Sequence, residues 1–74
     1  MDAAERDDIN IEIHGDTRTL PAGSTIADLL RMIDLADQPC AVEVNRSLVP
    51  KRAHTAHALQ EGDTVEIVTL VGGG

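Results

Sequence analysis

A chain of 74 residues has room for one small domain, and at that length only about 60–65% of the unfolded surface is buried on folding. Its apolar stock is 19 Ile, Leu and Val with nine Ala, two Met and one Cys, and it has no Phe, Tyr or Trp, which excludes aromatic stacking on nucleic-acid bases and aromatic cages for cations. Thirteen acidic against six basic residues leave a formal charge of −7, a sign that repels polyanions and favours basic protein partners.

Residues 1–8 carry four acids, one Arg and no apolar period, which predicts a disordered acidic leader. Ile9, Ile11 and Ile13 then alternate with Asn10 and Glu12, the pattern of a half-buried strand. His14-Gly15-Asp16 reads as a turn and Thr17 to Leu20 as a short returning strand, ended by Pro21-Ala22-Gly23. Thr25 with Asp28 three residues on makes a capping-box start, with Ser24 as the competing N-cap. Ile26, Leu29, Leu30 and Ile33 follow at i, i+3, i+4 and i+7, one apolar stripe of an amphipathic helix. The stripe fades at Asp34, and Pro39 forbids further helix.

Cys40 to Asn45 alternates again, with Val42 and Val44 on one face and Glu43 on the other. Asn45-Arg46-Ser47 turns the chain, and Leu48-Val49 before Pro50 is at most a short edge strand. Residues 51–60 have no strong period. A helical turn is expected over Ala53 to Leu59, with Leu59 as its core anchor. Glu61-Gly62-Asp63 turns into the strongest strand, Thr64 to Leu70. A single helix with one apolar stripe covers one face of one sheet, a two-layer α+β domain. Hairpin, crossover helix and a final strand returning to the sheet is the order of a β-grasp, the ubiquitin-like fold, here with a mixed sheet of four to five strands. The domain is expected at 9–70, with 71–74 as a flexible Gly tail.

One Cys cannot form an internal disulfide, the start MDAAERDD is acidic where a signal peptide is basic and then greasy, and no apolar run approaches the ~18–20 residues of a membrane span. These features predict a cytoplasmic protein.

The end of the chain carries the chemistry. Val71 is followed by Gly72, Gly73 and Gly74, without the Ser or polar spacer of a linker. Four residues past a strand reach roughly 13 Å when extended. With no Cβ from Gly72 onward, the tail can enter a channel too narrow for any side chain, as a terminal carboxylate must if another protein is to work on it. The competing reading is a frayed terminus. The strand that feeds the tail is apolar on both faces: Val65 and Ile67 share one parity, Val68 and Leu70 the other. With the first pair facing the helix, Val68 and Leu70 point to the open face of the sheet and make a docking patch beside the tail. The alternative places Val68 or Leu70 under segment 51–60.

The stretch EGDTVEIVTLVGGG at 61–74, with STIADLL at 24–30 and AVEVNRSLVP at 41–50, resembles the ThiS family, the ubiquitin-like sulfur carriers of thiamine-thiazole biosynthesis. The resemblance covers about residues 9–74. It implies that a ThiF-type enzyme uses ATP and magnesium to adenylate Gly74, that a cysteine desulfurase persulfide supplies sulfur to form a thiocarboxylate, and that a ThiG-type thiazole synthase takes it. On that basis Gly74 is the acceptor, Gly73 and Gly72 are the thread, and Val71, Leu70 and Val68 form the partner-facing surface. The chain itself binds no cofactor and brings no catalytic residues. Two departures stand out: Arg46 occupies a position where family members often carry Gly, which strains a turn needing φ > 0 there, and the leader at 1–8 is extra. A molybdopterin-synthase small-subunit-like carrier, and a ubiquitin-like modifier or interaction domain with no sulfur role, are the competing readings.

The remaining chemistry-bearing residues point elsewhere. Cys40 has no cation flanking it in sequence to lower its pKa, and a small buried apolar role suits its place at a strand start. His54 and His57 have H-x-x-H spacing, but two His without a third ligand are a weak metal signal. Arg46, Lys51 and Arg52 form the only basic cluster, read as a solvated turn, and no phosphate-binding loop is present.

Overall fold

The computed structural model describes residues 7–70. Five strands, β1 (Asp8–Ile13), β2 (Asp16–Pro21), β3 (Cys40–Val44), β4 (Ser47–Val49) and β5 (Thr64–Thr69), form one mixed sheet, crossed on one face by the helix α1 (Ile26–Met32). The spatial order is β2-β1-β5-β3-β4. β1 and β5 run parallel at the centre and every other pair is antiparallel. This is the β-grasp expected from the element order, with all five strands formed.

Alternation does in the structure what it does in the sequence. Ile9 and Ile11 on β1, Leu20 on β2, Val42 and Val44 on β3, Val49 on β4 and Val65 on β5 are buried against Ile26, Leu29 and Leu30 of α1. Each such side chain contributes about 2 kcal/mol when removed from water. Ile33, the last member of the helical stripe, is only partly buried because it sits at the C-cap. Leu59 anchors the connection between β4 and β5 in the same core.

The helix starts at a complete capping box, which decides between the two candidate caps. Thr25 Oγ1 accepts from the Asp28 amide at 3.1 Å, and the Asp28 carboxylate accepts from the Thr25 amide at 3.0 Å. Ser24 is buried instead, its hydroxyl donating to the Pro21 carbonyl at 2.7 Å. The next orphan donors of the helix start, the Ile26 and Ala27 amides, donate to the carbonyls of His57 and His54. Segment 51–60 therefore serves α1 mainly through its backbone. The helical turn expected at Ala53–Leu59 forms earlier, as a 3-10 turn over Lys51–Ala53 that closes by His57 (its amide on the Ala53 carbonyl).

At the N-terminal side the sheet begins one residue before the expected boundary. Asp8 pairs with Pro21, and the Asp7 carbonyl accepts from the Ala22 amide, so these two residues belong to the ladder. The rest of the expected leader, 1–6, lies outside the described residues, as does the expected tail, 71–74.

Both hairpin turns have two residues, and both require positive φ at each. In the first, His14 and Gly15 have φ of 50° and 87°; in the second, Asn45 and Arg46 have 52° and 71°. The strain anticipated at Arg46 is thus present. Asn tolerates the left-handed region, whereas a long side chain there costs about 1 kcal/mol. Replacing Arg46 by Gly is expected to raise stability by about 1 kcal/mol in urea unfolding. A loss of stability would show that the Arg46 side chain makes compensating contacts.

The hydrogen bonds of the capping box, first from the Thr25 amide and then through the Thr25 side chain, hold the Asp28 carboxyl below its ordinary pKa, with a smaller contribution from Arg31. A depressed folded-state value means that this contribution is present above the ordinary carboxylate range and is lost as pH falls through the lowered value. Asp28→Asn keeps an acceptor but removes the charge. The variant should be less stable than the parent at neutral pH, with the difference shrinking in acid, measured by urea midpoints from pH 7 down to about pH 2.

Candidate functional site

The face of the sheet away from α1 has no covering element among the described residues. Register places its members: Ala41 lies opposite Val68, and Glu43 lies opposite both Glu66 and Leu48. Val68, Leu70 and Leu48 are 58%, 52% and 65% exposed. The expected outward placing of Val68 and Leu70 is therefore observed, and neither lies under segment 51–60. Leu48, on β4, is exposed on the same face, beyond Glu43. Its signal was in the sequence, since Leu48 and Val49 have opposite parity and Val49 takes the core.

The electrostatics of this patch are acidic. Glu43 and Glu66 are direct cross-strand neighbours, and like charges so placed oppose the pairing. No salt bridge to either is formed among the described residues. The face thus presents exposed aliphatic side chains beside two adjacent carboxylates, with Arg46 lining the same small pocket as Glu66.

β5 is secured at its entrance by a polar knot. The Asn45 amide group donates to Asp63 at 2.9 Å, Asn45 Oδ1 accepts from the Thr64 amide at 3.0 Å, and the Asn45 backbone amide donates to the Thr64 carbonyl at 2.7 Å. Asp63 also accepts from the Gln60 amide at 2.9 Å. At the far end the Leu70 amide donates to the Pro39 carbonyl at 2.9 Å, one residue beyond the β3–β5 ladder. The sequence-predicted residues Val71, Gly72, Gly73 and Gly74 lie outside the described residues, so of the predicted site the structure places Val68 and Leu70.

Two further arrangements were not visible in sequence. Cys40, half-buried opposite Thr69, lines a small cavity with Leu30, Lys51 and His54, so the fold brings one Lys near a thiol whose sequence neighbours include no cation. His54 is buried, and its Nε2–H donates to the Val49 carbonyl at 3.1 Å; its role is structural and separate from that of the partly exposed His57. The second arrangement is at His14, whose ring reaches the backbone of Ile67 on β5.

The sequence model of the ThiS family matches residues 8–74. Over 66 residues the chain is 35% identical to a thiazole synthase of Magnetococcus marinus, a match covering 89% of this chain but 20% of that protein, so the chain spans about a fifth of that relative's length. It is 30% identical over 53 residues to the sulfur carrier protein ThiS of Escherichia coli, covering 72% of this chain and 80% of that one. A crystal structure of the thiamine biosynthesis protein ThiS from Geobacter metallireducens superposes with a TM-score of 0.75 at 26% identity, covering 89% of this chain and 100% of the other.

The facing carboxylates give a test of the patch. Glu43→Gln should raise stability by about 0.3 kcal/mol in urea unfolding, a gain that shrinks in concentrated salt as the repulsion is screened. A salt-independent loss would mean that Glu43 has a favourable partner.

Proposed function

The chain belongs to the ThiS family, and on that footing we propose that it is a sulfur carrier of thiamine-thiazole synthesis whose working group is the carboxylate of Gly74. The observation that carries the reading is the extent of the family match. It runs through residue 74 and so takes in the whole Gly72–Gly74 run.

An α-carboxyl has a pKa near ~3.5, so at neutral pH it is a resonance-stabilised anion that resists nucleophiles. Adenylation removes that obstacle. A carboxylate oxygen attacks the α-phosphate of ATP, pyrophosphate leaves, and the product is a mixed anhydride. The terminal sulfur of a persulfide then attacks the acyl carbon and AMP leaves. Cleavage of the resulting sulfur–sulfur bond by a thiol frees the thiocarboxylate, which passes its sulfur to a thiazole synthase. A ThiF-type enzyme holds the ATP and magnesium, and a cysteine desulfurase supplies the persulfide. The chain contributes the acceptor, a side-chain-free thread at Gly72 and Gly73, and an address formed by Val68, Leu70 and Val71. The exposure of Val68 and Leu70 on the open face supports the address.

Incubation with a ThiF-type enzyme, ATP, magnesium and a persulfide donor should increase the intact mass by about 16 Da, oxygen replaced by sulfur, with the change on Gly74. Deleting Gly74 should abolish loading in a folded protein, and Val68→Asp should weaken enzyme capture with stability altered by less than about 0.5 kcal/mol. Loading of the truncated chain, or attachment of Gly74 to a lysine in place of the mass gain, would overturn the sulfur reading.

A further inference from the structure

The alternation of β5 assigns its backbone groups to two edges. The Thr64 carbonyl and the Leu70 amide bond toward the β3 side, to Asn45 and Pro39, so the even-numbered residues serve that edge. Val65, Ile67 and Thr69 therefore turn their amides and carbonyls toward β1. But β1 pairs with β5 only at Glu12↔Thr64 and Ile13↔Val65, because the chain turns back at His14-Gly15 into β2. Beyond Val65 the central strand has lost its β1 neighbour.

The imidazole of His14 occupies the vacated place. Its Nε2 lies 3.1 Å from the Ile67 amide nitrogen and 3.0 Å from the Ile67 carbonyl oxygen. The Ile67 amide calls for a lone pair at Nε2 and the Ile67 carbonyl for an N–H there, so one Nε2 serves one of the two at a time, and either tautomer bonds the Ile67 backbone. One side chain thus stands in for the β1 residue that is missing from the ladder. The left-handed backbone of His14, φ 50°, is what aims the ring back across the sheet.

We propose that His14 is a positioning residue: it fixes the β5 backbone at Ile67, seven residues before Gly74, and thereby sets the direction of the strand end through Leu70 and the angle of Val68 and Leu70. This rests on the reading of Gly74 as the acceptor. Without the ring, Ile67 to Leu70 is held on the β3 side alone. The strand end then has more freedom to lose when a partner engages it, which weakens docking more than the chemical step.

Two substitutions separate the ring from the turn. His14→Asn keeps a residue that tolerates positive φ but is too short to reach Ile67, whereas His14→Gln has the reach and an amide that accepts. In His14→Asn the Ile67 amide should exchange about fivefold faster, and the KM for the carrier in adenylation should rise about fivefold with kcat unchanged, the factor that one net hydrogen bond supplies. His14→Gln should restore both. Parental exchange and KM in His14→Asn, or no recovery in His14→Gln, would overturn the proposal. If the parent itself is inert to the adenylating enzyme, the acceptor reading falls and the positioning role falls with it, while the exchange rates still report whether the ring holds Ile67.

Discussion

Burial on one side only is the constraint from which the rest of this domain follows. The chain has no Phe, Tyr or Trp and, among the described residues, one seven-residue α-helix, so its aliphatic core can be closed on a single face of the sheet. Every buried strand residue in the core faces α1 and the segment around Leu59. The other face must live with water, and most of it does so with Asn, Thr and Glu. Val68, Leu70 and Leu48 are the departures: Val68 and Leu70 lie together toward the C-terminal end of β5, while Leu48 sits on β4 at the level of Glu66. The pair on β5 is more informative than apolar residues scattered singly over the surface.

The same economy divides labour between the body and its end. The polar side chains of the body are largely engaged in holding structure: Thr25 and Asp28 cap the helix, Asn45 and Asp63 tie the entrance of β5, and Ser24 and His54 are buried with their hydrogen bonds made. No group of three or more His, Cys, Asp or Glu among the described residues is placed to hold a metal ion. What the described residues leave uncommitted is the exposed aliphatic pair Val68 and Leu70 at the end of β5.

Much of this was legible in the residues. The alternation of Ile9, Ile11 and Ile13, the stripe of Ile26, Leu29 and Leu30, and the Thr25–Asp28 pair are side-chain patterns, and side-chain patterns are what burial and capping leave in a sequence. The opposite parities of Val65 and Val68 were enough to place one inside and one outside. What escaped was carried by the backbone or by distance. Segment 51–60 shows no period because it serves α1 with the carbonyls of His54 and His57, and a carbonyl is the same in every residue. Asp8 and Asp7 join the ladder at a sheet edge through main-chain groups, where acidic side chains are no obstacle. Lys51 and His54 come to Cys40, and His14 to Ile67, across separations that no local pattern records.

Several of the contacts outside the regular ladders converge on β5. It is the central strand, yet its two neighbours do not match its length. β1 stops at Val65, and the β3 ladder ends at Thr69. At each mismatch a group outside the regular ladder supplies the missing partner: Asn45 at Thr64, the Pro39 carbonyl at Leu70, and the His14 ring at Ile67. The strained turn at Asn45-Arg46 fits the same logic. Asn45 is held by bonds to Asp63 and Thr64, which over-determine the turn and allow a non-glycine residue to persist at positive φ next to it. A strand that only completed a sheet would gain little from being tied at three points along its length. On the proposed function, these three ties stiffen the strand end that a partner would engage, where the ladder alone would leave it free.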